Sequence, residues 1–308
     1  MRIAFLGTPD FALPSLQMLV SEGYEVAAAF CQPDRPKGRS GKPAPPPVKT
    51  LAQKYNIPVF QPEKIKSPEG QAMLRSVAPD LMITAAFGQI LSAENLAVPP
   101  LGCINVHGSL LPKYRGAAPV QWCVINGERT TGVTTMLTDV GLDTGDMLLQ
   151  KSIEILPDET AGELFERIAI LGAEVLKDTL QALSSGTLQR TKQNEAQATR
   201  CSMLKKEDGH VDFSKPAQKV HDLIRGTDPW PGAYAHLNGT TLKLWKSRLT
   251  EGEGAPGEIL CADPKRGLVV AAGGGAIEIT ELQAPGAKRM KAADYLRGKQ
   301  LPVGGRFA

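Results

Sequence analysis

The 308-residue sequence has no apolar run long enough to cross a bilayer. Its first residues, M-R-I-A-F-L-G, lack the long apolar core and small-residue cleavage site of a secretory signal, and also the Arg- and Ser-rich character of a transit peptide. A cytoplasmic protein with no targeting segment and no membrane partner is expected. The five cysteines (Cys31, Cys103, Cys123, Cys201 and Cys261) are odd in number and widely spaced, with no C-x-x-C. That pattern argues against a disulfide framework and against structural zinc. The four histidines (His107, His210, His221 and His236) form no H-x-x-x-H pair, so no metal site is expected. A dinucleotide fingerprint is missing too. The first apolar run ends in Gly7-Thr8-Pro9-Asp10-Phe11, where Pro9 and Phe11 stand in place of a pyrophosphate-cradling turn. This disfavours a nicotinamide cofactor and leaves two readings: a tight turn into a helix, or a loop bordering a different ligand.

What is present is ordinary for a globular protein, with 42% apolar and 22% charged residues. A chain of this length suggests two domains. The net charge of +3 is unevenly spread. Residues 1–186 hold 16 Lys and Arg against 19 Asp and Glu, whereas residues 187–308 hold 19 against 13. The basic C-terminal part fits a polyanionic partner, and equally a mildly basic soluble domain.

Short apolar runs at residues 3–6, 25–30, 59–60, 81–84 and 103–106 alternate with helical patterns at 11–20, 48–55 and 71–77. This rhythm predicts a Rossmann-like α/β domain, a mostly parallel sheet with helices on both faces. Residues 131–138 and 147–155 read as a hairpin-like pair at the sheet edge, and 161–183 as a long amphipathic closing helix. The expected division is a catalytic domain at 1–186, a polar linker at 187–207 and a second domain at 208–308. In the second domain a helix at 217–225 precedes short strands at 233–237, 241–247, 257–261, 267–271 and 276–283. Strands this short and closely spaced suggest a small, OB-like β-barrel. There is no internal repeat. Residues 32–47 form a long loop rich in Pro, Gly, Lys and Arg, and loops of that length are functional or disordered.

The densest chemistry lies in N-V-H-G-S-L-L-P-K-Y-R-G-A-A-P-V-Q-W, residues 105–122. It starts at the C-terminal end of a predicted strand, where open α/β sheets bind ligands. Asn105 and His107 are two apart and so share one face of the strand. Together they can address one carbonyl carbon, the amide as N–H donor and the imidazole as proton donor or exchanger. Leu110 and Leu111, bracketed by Ser109 and Pro112, would make an apolar wall for a flat ligand. The run D-V-G-L-D-T-G-D (139–146) lacks the spacing of a calcium loop and by itself reads as a turn. Placed beside His107, Asp143 would hold the imidazole in one tautomer and stabilise its charged form.

These two runs closely resemble the folate-dependent formyltransferases. F-L-G-T-P-D-F (5–11), C-Q-P-D-R-P-K-G-R-S-G-K (31–42), D-P-W-P-G-A (228–233) and L-K-L-W-K (242–246) extend the resemblance over nearly the whole chain. They point to the branch of the family that acts on methionyl-initiator tRNA. The resemblance implies transfer of a formyl group from 10-formyltetrahydrofolate to the α-amine, by direct amine attack and without a metal. It implies Asn105, His107 and Asp143 as the catalytic set and Ser109, Leu110, Leu111 and Pro112 as folate contacts. The basic segment 34–49, with Arg35, Lys37, Arg39 and Lys42, would meet the tRNA acceptor end. The C-terminal barrel would help to bind tRNA, and the protein would be a monomer. Lys205, Lys206, Lys288, Arg289 and Lys291 are weaker tRNA candidates that read more simply as solvated surface charges, and Trp230 and Trp245, whose rings could stack on bases, are expected in the core. A formyltransferase for a small amine, such as glycinamide ribonucleotide or an amino-sugar nucleotide, would share the catalytic set but give no reason for the basic loop. A catalytically inactive tRNA-binding protein would give no reason for an intact Asn–His–Asp set.

Overall fold

A run of apolar residues with no polar interruption suits a strand buried on both faces, and here such runs become the middle of a sheet. The computed structural model describes residues 1–36 and 41–308. Strand β1 (Arg2–Gly7) is buried from Ile3 onward and pairs in parallel with β2 (Glu25–Phe30). Beyond them lie β3 (Val59–Phe60), β4 (Leu81–Ala85), β5 (Cys103–His107), β6 (Thr130–Leu137) and β7 (Met147–Glu154). The sheet order is β7-β6-β5-β4-β1-β2-β3. The five strands β1 to β5 run parallel, and β6 is antiparallel to β5. The predicted edge pair is therefore present. Helices α1 (Leu13–Ser21), α2 (Pro47–Lys54), α3 (Pro68–Val77), α4 (Pro119–Ile125) and α5 (Ala161–Ser184) accompany the sheet strands in sequence. The local chemistry of α3 is typical: Ser67 caps it by accepting from the Gly70 amide at 3.2 Å, and Pro68 occupies the first turn, where its missing N–H costs nothing.

Contacts divide the chain into two units. The first comprises Met1–Gly116, Gly132–Ile153 and Phe165–Arg200; the second comprises Ala117–Thr131, Glu154–Leu164 and Cys201–Ala308. The polar stretch 187–207 is not a bare connector. Within the first unit Thr191 bridges to Met147, and Thr199 accepts from the Tyr114 amide through its hydroxyl and from the Arg115 amide through its carbonyl.

In the second unit β8 (Ala233–Leu237), β9 (Thr240–Thr250), β10 (Ile259–Asp263), β11 (Gly267–Ala272) and β12 (Gly275–Gln283) form an antiparallel sheet ordered β8-β9-β12-β11-β10. Helix α6 (Ala217–Gly226) buries Val220 and Ile224 in its core, and α7 (Ala292–Gly298) adds Tyr295 and Leu296. Two sheet edges would be left open, a hazard for aggregation. The last residues lie along both. Ala308 exchanges backbone bonds with His236 on β8, while Gly304 and Gly305 bond to Ile259 on β10. Phe307, 2% exposed, is stacked on Phe213 at 5.8 Å. Phe307→Ala is expected to cost about 3–5 kcal/mol, read as a lower urea midpoint at unchanged slope. An unaltered midpoint would show that this tail is not a structural part of the second unit.

Four cysteines are buried and Cys261 is partly exposed. Burial pushes the Cys31 and Cys103 thiols up to about 11. At pH 8 they carry roughly 200-fold less thiolate than an unfolded cysteine with a pKa of about 8.5, and the thiolate is the reactive form. Iodoacetamide should therefore label Cys261 first in the native protein and spare Cys31 and Cys103 until the pH approaches 11. Peptide mapping that finds all three labelled at one rate would contradict this burial. No helix among the described residues is long and apolar enough to cross a membrane.

Candidate active site

The carboxyl ends of β1, β2 and β4 are tied together. The Thr8 hydroxyl donates to the Phe87 carbonyl at 2.9 Å and accepts from the Gln32 amide at 3.2 Å, while the Gln32 side chain reaches the same carbonyl at 3.3 Å. Gly7 makes the tight exit from β1: a Cβ there would lie 2.7 Å from the Ala12 Cβ and 3.0 Å from the Ala85 carbonyl oxygen. The loop is thus a packed turn at the rim where a doubly wound sheet takes its ligands.

Next to this rim, Thr84 on β4 pairs in register with Asn105 on β5. The Thr84 hydroxyl donates to Asn105 Oδ1 at 2.8 Å, which fixes the amide so that Nδ2 is its donor end. That nitrogen has no hydrogen-bond partner among the described residues. His107, two residues on, is 6% exposed. Its Nε2 lies 3.0 Å from the Tyr114 carbonyl, an acceptor only, so Nε2 carries a hydrogen and donates it. Nδ1 is left facing Asp143 Oδ2 at 3.7 Å, longer than a direct hydrogen bond. Asp143 Oδ2 is itself anchored by the Gly116 amide at 2.8 Å. The structure thus brings His107 and Asp143 together, 36 positions apart in sequence, with Asn105 on the same face of the same strand.

Backbone strain gathers around this group. Ala86, Tyr114 and Asp143 adopt left-handed φ of 47°, 58° and 54°. Non-glycine residues seldom stay there unless the surroundings hold them, and such residues collect at functional sites.

The segment after β5 is more committed than an exposed apolar wall would be. Ser109 and Leu111 are buried, at 0% and 3% exposure. The Ser109 hydroxyl donates to the Lys113 carbonyl at 2.7 Å, and Thr134 bonds both the Ser109 carbonyl and the Leu111 amide. Leu110 and Pro112 keep partial surface. Among the described residues no group of three His, Cys, Asp or Glu is placed to hold a metal.

Of the basic segment, Lys37 and Arg39 lie outside the described residues. Arg35 is exposed, 3.7 Å from the Glu63 carboxylate, and Lys42 is exposed as well. At the base of the loop Arg35–Pro36 pairs with Pro43–Ala44. Lys49 bonds both Asp34 oxygens, at 2.9 and 2.8 Å, and holds that carboxyl below its usual range. Lys205, Lys206, Lys288 and Lys291 are exposed. Arg289 is engaged instead: it pairs with Asp228 at 2.9 Å and Glu281 at 2.6 Å, and its guanidinium lies 5.0 Å from the Trp245 ring centroid. Trp245 is 9% exposed, as expected for a core residue, but Trp230 is 50% exposed. Flanked by Pro229 and Pro231, Trp230 sits in a turn, where it can join neither a helix nor a strand ladder.

Nothing in the sequence marks a role for Thr84, Tyr114, Arg115 or Gln193. Arg115 is 1% exposed and forks onto Glu195 at 3.0 and 2.6 Å, holding that carboxyl below its usual range. The signal for Arg115 was its place inside the 105–122 run, where a charge reads as loop surface.

A mostly parallel α/β sheet followed by a second, antiparallel unit is the architecture of a formyltransferase. The family model described as "Formyl transferase" matches residues 1–180, and "Formyl transferase, C-terminal domain" matches residues 203–300. Methionyl-tRNA formyltransferase of Ruminiclostridium cellulolyticum is 54% identical over 308 residues, 99% of this chain and 98% of its own. The chain belongs to the methionyl-tRNA formyltransferase family. Among solved structures, the N-formyltransferase from Helicobacter canadensis in complex with folinic acid and dTDP-3-aminofucose superposes with a TM-score of 0.67 at 20% identity, covering 94% of this chain and 99% of that one. HypX from Aquifex aeolicus in complex with tetrahydrofolic acid also gives 0.67, at 18% identity, over 96% of this chain and 47% of its own. At such identities the likeness is one of fold.

Proposed function

We propose that the protein transfers the formyl group of 10-formyltetrahydrofolate to the α-amine of methionyl-initiator tRNA, in the cytoplasm and as a monomer. The unprotonated amine attacks the formyl carbon, a tetrahedral oxyanion forms, and the bond from that carbon to the folate nitrogen breaks. The amine loses a proton and the departing nitrogen gains one, so tetrahydrofolate leaves. Asn105 Nδ2–H donates to the oxyanion. His107, whose Nε2 hydrogen is committed to Tyr114, moves the proton through Nδ1. Asp143 orients the ring and stabilises the charge it takes up. The observation that carries this reading is the meeting of His107 and Asp143 at 3.7 Å on the strand face that also bears Asn105. No cysteine stands in a nucleophile's setting, and a direct transfer needs none.

The folate ring system packs on Leu110 and Pro112, with Ser109 and Leu111 shaping the wall from within. The co-crystals of the Helicobacter protein with folinic acid and of HypX with tetrahydrofolic acid support a folate donor. Arg35, Lys37, Arg39 and Lys42 meet the acceptor end of the tRNA, residues 1–186 carry the chemistry, 187–207 link, and 208–308 add tRNA affinity. Phosphate contacts give salt-dependent affinity. Arg39→Ala should therefore lower kcat/KM for tRNA by a factor that changes across a salt series; a salt-independent activity equal to the parent would remove the loop from tRNA binding.

The deciding experiment supplies 10-formyltetrahydrofolate labelled in its formyl group, together with charged initiator tRNA and an amino-sugar nucleotide. Label should appear in the tRNA. Label in the sugar alone would point to the small-amine reading, and no transfer to either would point to a binding protein.

A further inference from the structure

The turn that carries Asp143 is held by a residue 50 positions away. The Gln193 side-chain nitrogen donates to the Asp143 carbonyl and to the Gly145 carbonyl, each at 2.8 Å. Its Oε1 accepts from Arg115 Nε at 2.9 Å. Guanidinium can only donate and a carbonyl can only accept, so these partners fix the amide in one orientation. Arg115 is fixed in turn by its fork onto Glu195. The result is a chain of bonds: Glu195 to Arg115, Arg115 to Gln193, and Gln193 to the backbone around Asp143.

That backbone needs holding. Asp143 has a φ of 54°, a region a non-glycine residue keeps only when its surroundings over-determine it. Its carboxylate is anchored by the Gly116 amide and its carbonyl by Gln193, so both ends of the residue are tied down while Oδ2 faces His107. Small displacements of a catalytic group are costly, because reaction requires near-contact geometry.

We propose that Gln193 is a positioning residue, which clamps the 143–145 turn so that the Asp143 carboxylate faces His107, with Arg115 setting the orientation of the Gln193 amide. This rests on the reading of Asp143 as the partner of His107. Gln193→Glu is the sharp probe. It keeps the shape and the oxygen that accepts from Arg115, but it turns the donor toward the two carbonyls into an acceptor. If Gln193 served only to anchor Arg115, the Glu variant would work as the parent does.

Formylation of methionyl-initiator tRNA should show kcat lowered about 10- to 100-fold in both Gln193→Glu and Gln193→Ala, with KM for each substrate changed less than about threefold. In an Asp143→Asn background, Gln193→Glu should lower kcat less than about twofold further, because the clamp then has little left to position. A parent-like kcat in Gln193→Glu overturns the proposal, as does a loss confined to KM, or a full multiplicative loss in the Asp143→Asn background. Asp143→Asn alone separates the two claims. If it turns over like the parent, the catalytic reading fails and the clamp falls with it. If it is impaired while Gln193→Glu is not, only the clamp fails.

Discussion

His107→Ala is expected to lower kcat for formyl transfer by about 10²–10⁴-fold, the usual contribution of a positioned acid–base group. The imidazole is buried, its Nε2 hydrogen is spent on the Tyr114 carbonyl, and its Nδ1 faces a carboxylate 3.7 Å away. A core histidine kept only for packing would have no need of Asp143. Affinity for tRNA should be nearly unchanged, because the proposed tRNA contacts lie in other segments. The Tyr114 carbonyl loses its donor in this variant, so some stability is lost as well. His107→Gln, which offers an amide to the same carbonyl, should recover stability without recovering turnover. Initial rates at saturating donor and tRNA decide the matter, and turnover equal to the parent's would take His107 out of the mechanism.

Asn105→Ala should cost about 10²–10³ in kcat, the loss typical of one oxyanion donor. Asn105→Asp is the more discriminating change. It keeps an oxygen for the Thr84 hydroxyl, which now bonds Oδ1 at 2.8 Å. It replaces the donor nitrogen by a carboxylate oxygen, which would repel a developing oxyanion. The Asp variant should therefore be at least as slow as the Ala variant, while its unfolding midpoint stays close to the parent's. An active Asn105→Asp enzyme would mean that the amide hydrogens never meet the reacting oxygen.

Some of this architecture is legible in the residues alone. The central strands are continuous apolar runs, and strands buried on both faces look like that in any sequence. The two-residue spacing of Asn105 and His107 places them together because strand side chains alternate. Other features leave weaker traces. Helix α4 (Pro119–Ile125) is two turns long, too short for a helical period to show. Strand β9 (Thr240–Thr250) runs longer than its apolar core because its last residues are exposed, so nothing in their polarity marks them as strand. The pairing of 304–308 with both edges of the second sheet depends on backbone bonds, which carry no side-chain signature. The site has the same limits. Asp143 reads as a turn residue until His107 is beside it, and that meeting depends on the loop after β6. Gln193 lies in a stretch whose polarity suggests a connector. Its amide acts on carbonyls, and a glutamine that does so is indistinguishable in sequence from one in solvent. Size misleads at Trp230: a large aromatic suggests a core, but the prolines on either side hold it in a turn, 50% exposed.

The central claim, that His107 and Asp143 act as one unit on the reacting carbon, is tested most directly by single-turnover formyl transfer in His107→Ala, Asp143→Asn and the double variant. If the carboxylate works through the imidazole, the double variant should be within about threefold of His107→Ala alone. Losses that multiply, or an Asp143→Asn enzyme as fast as the parent, would contradict it.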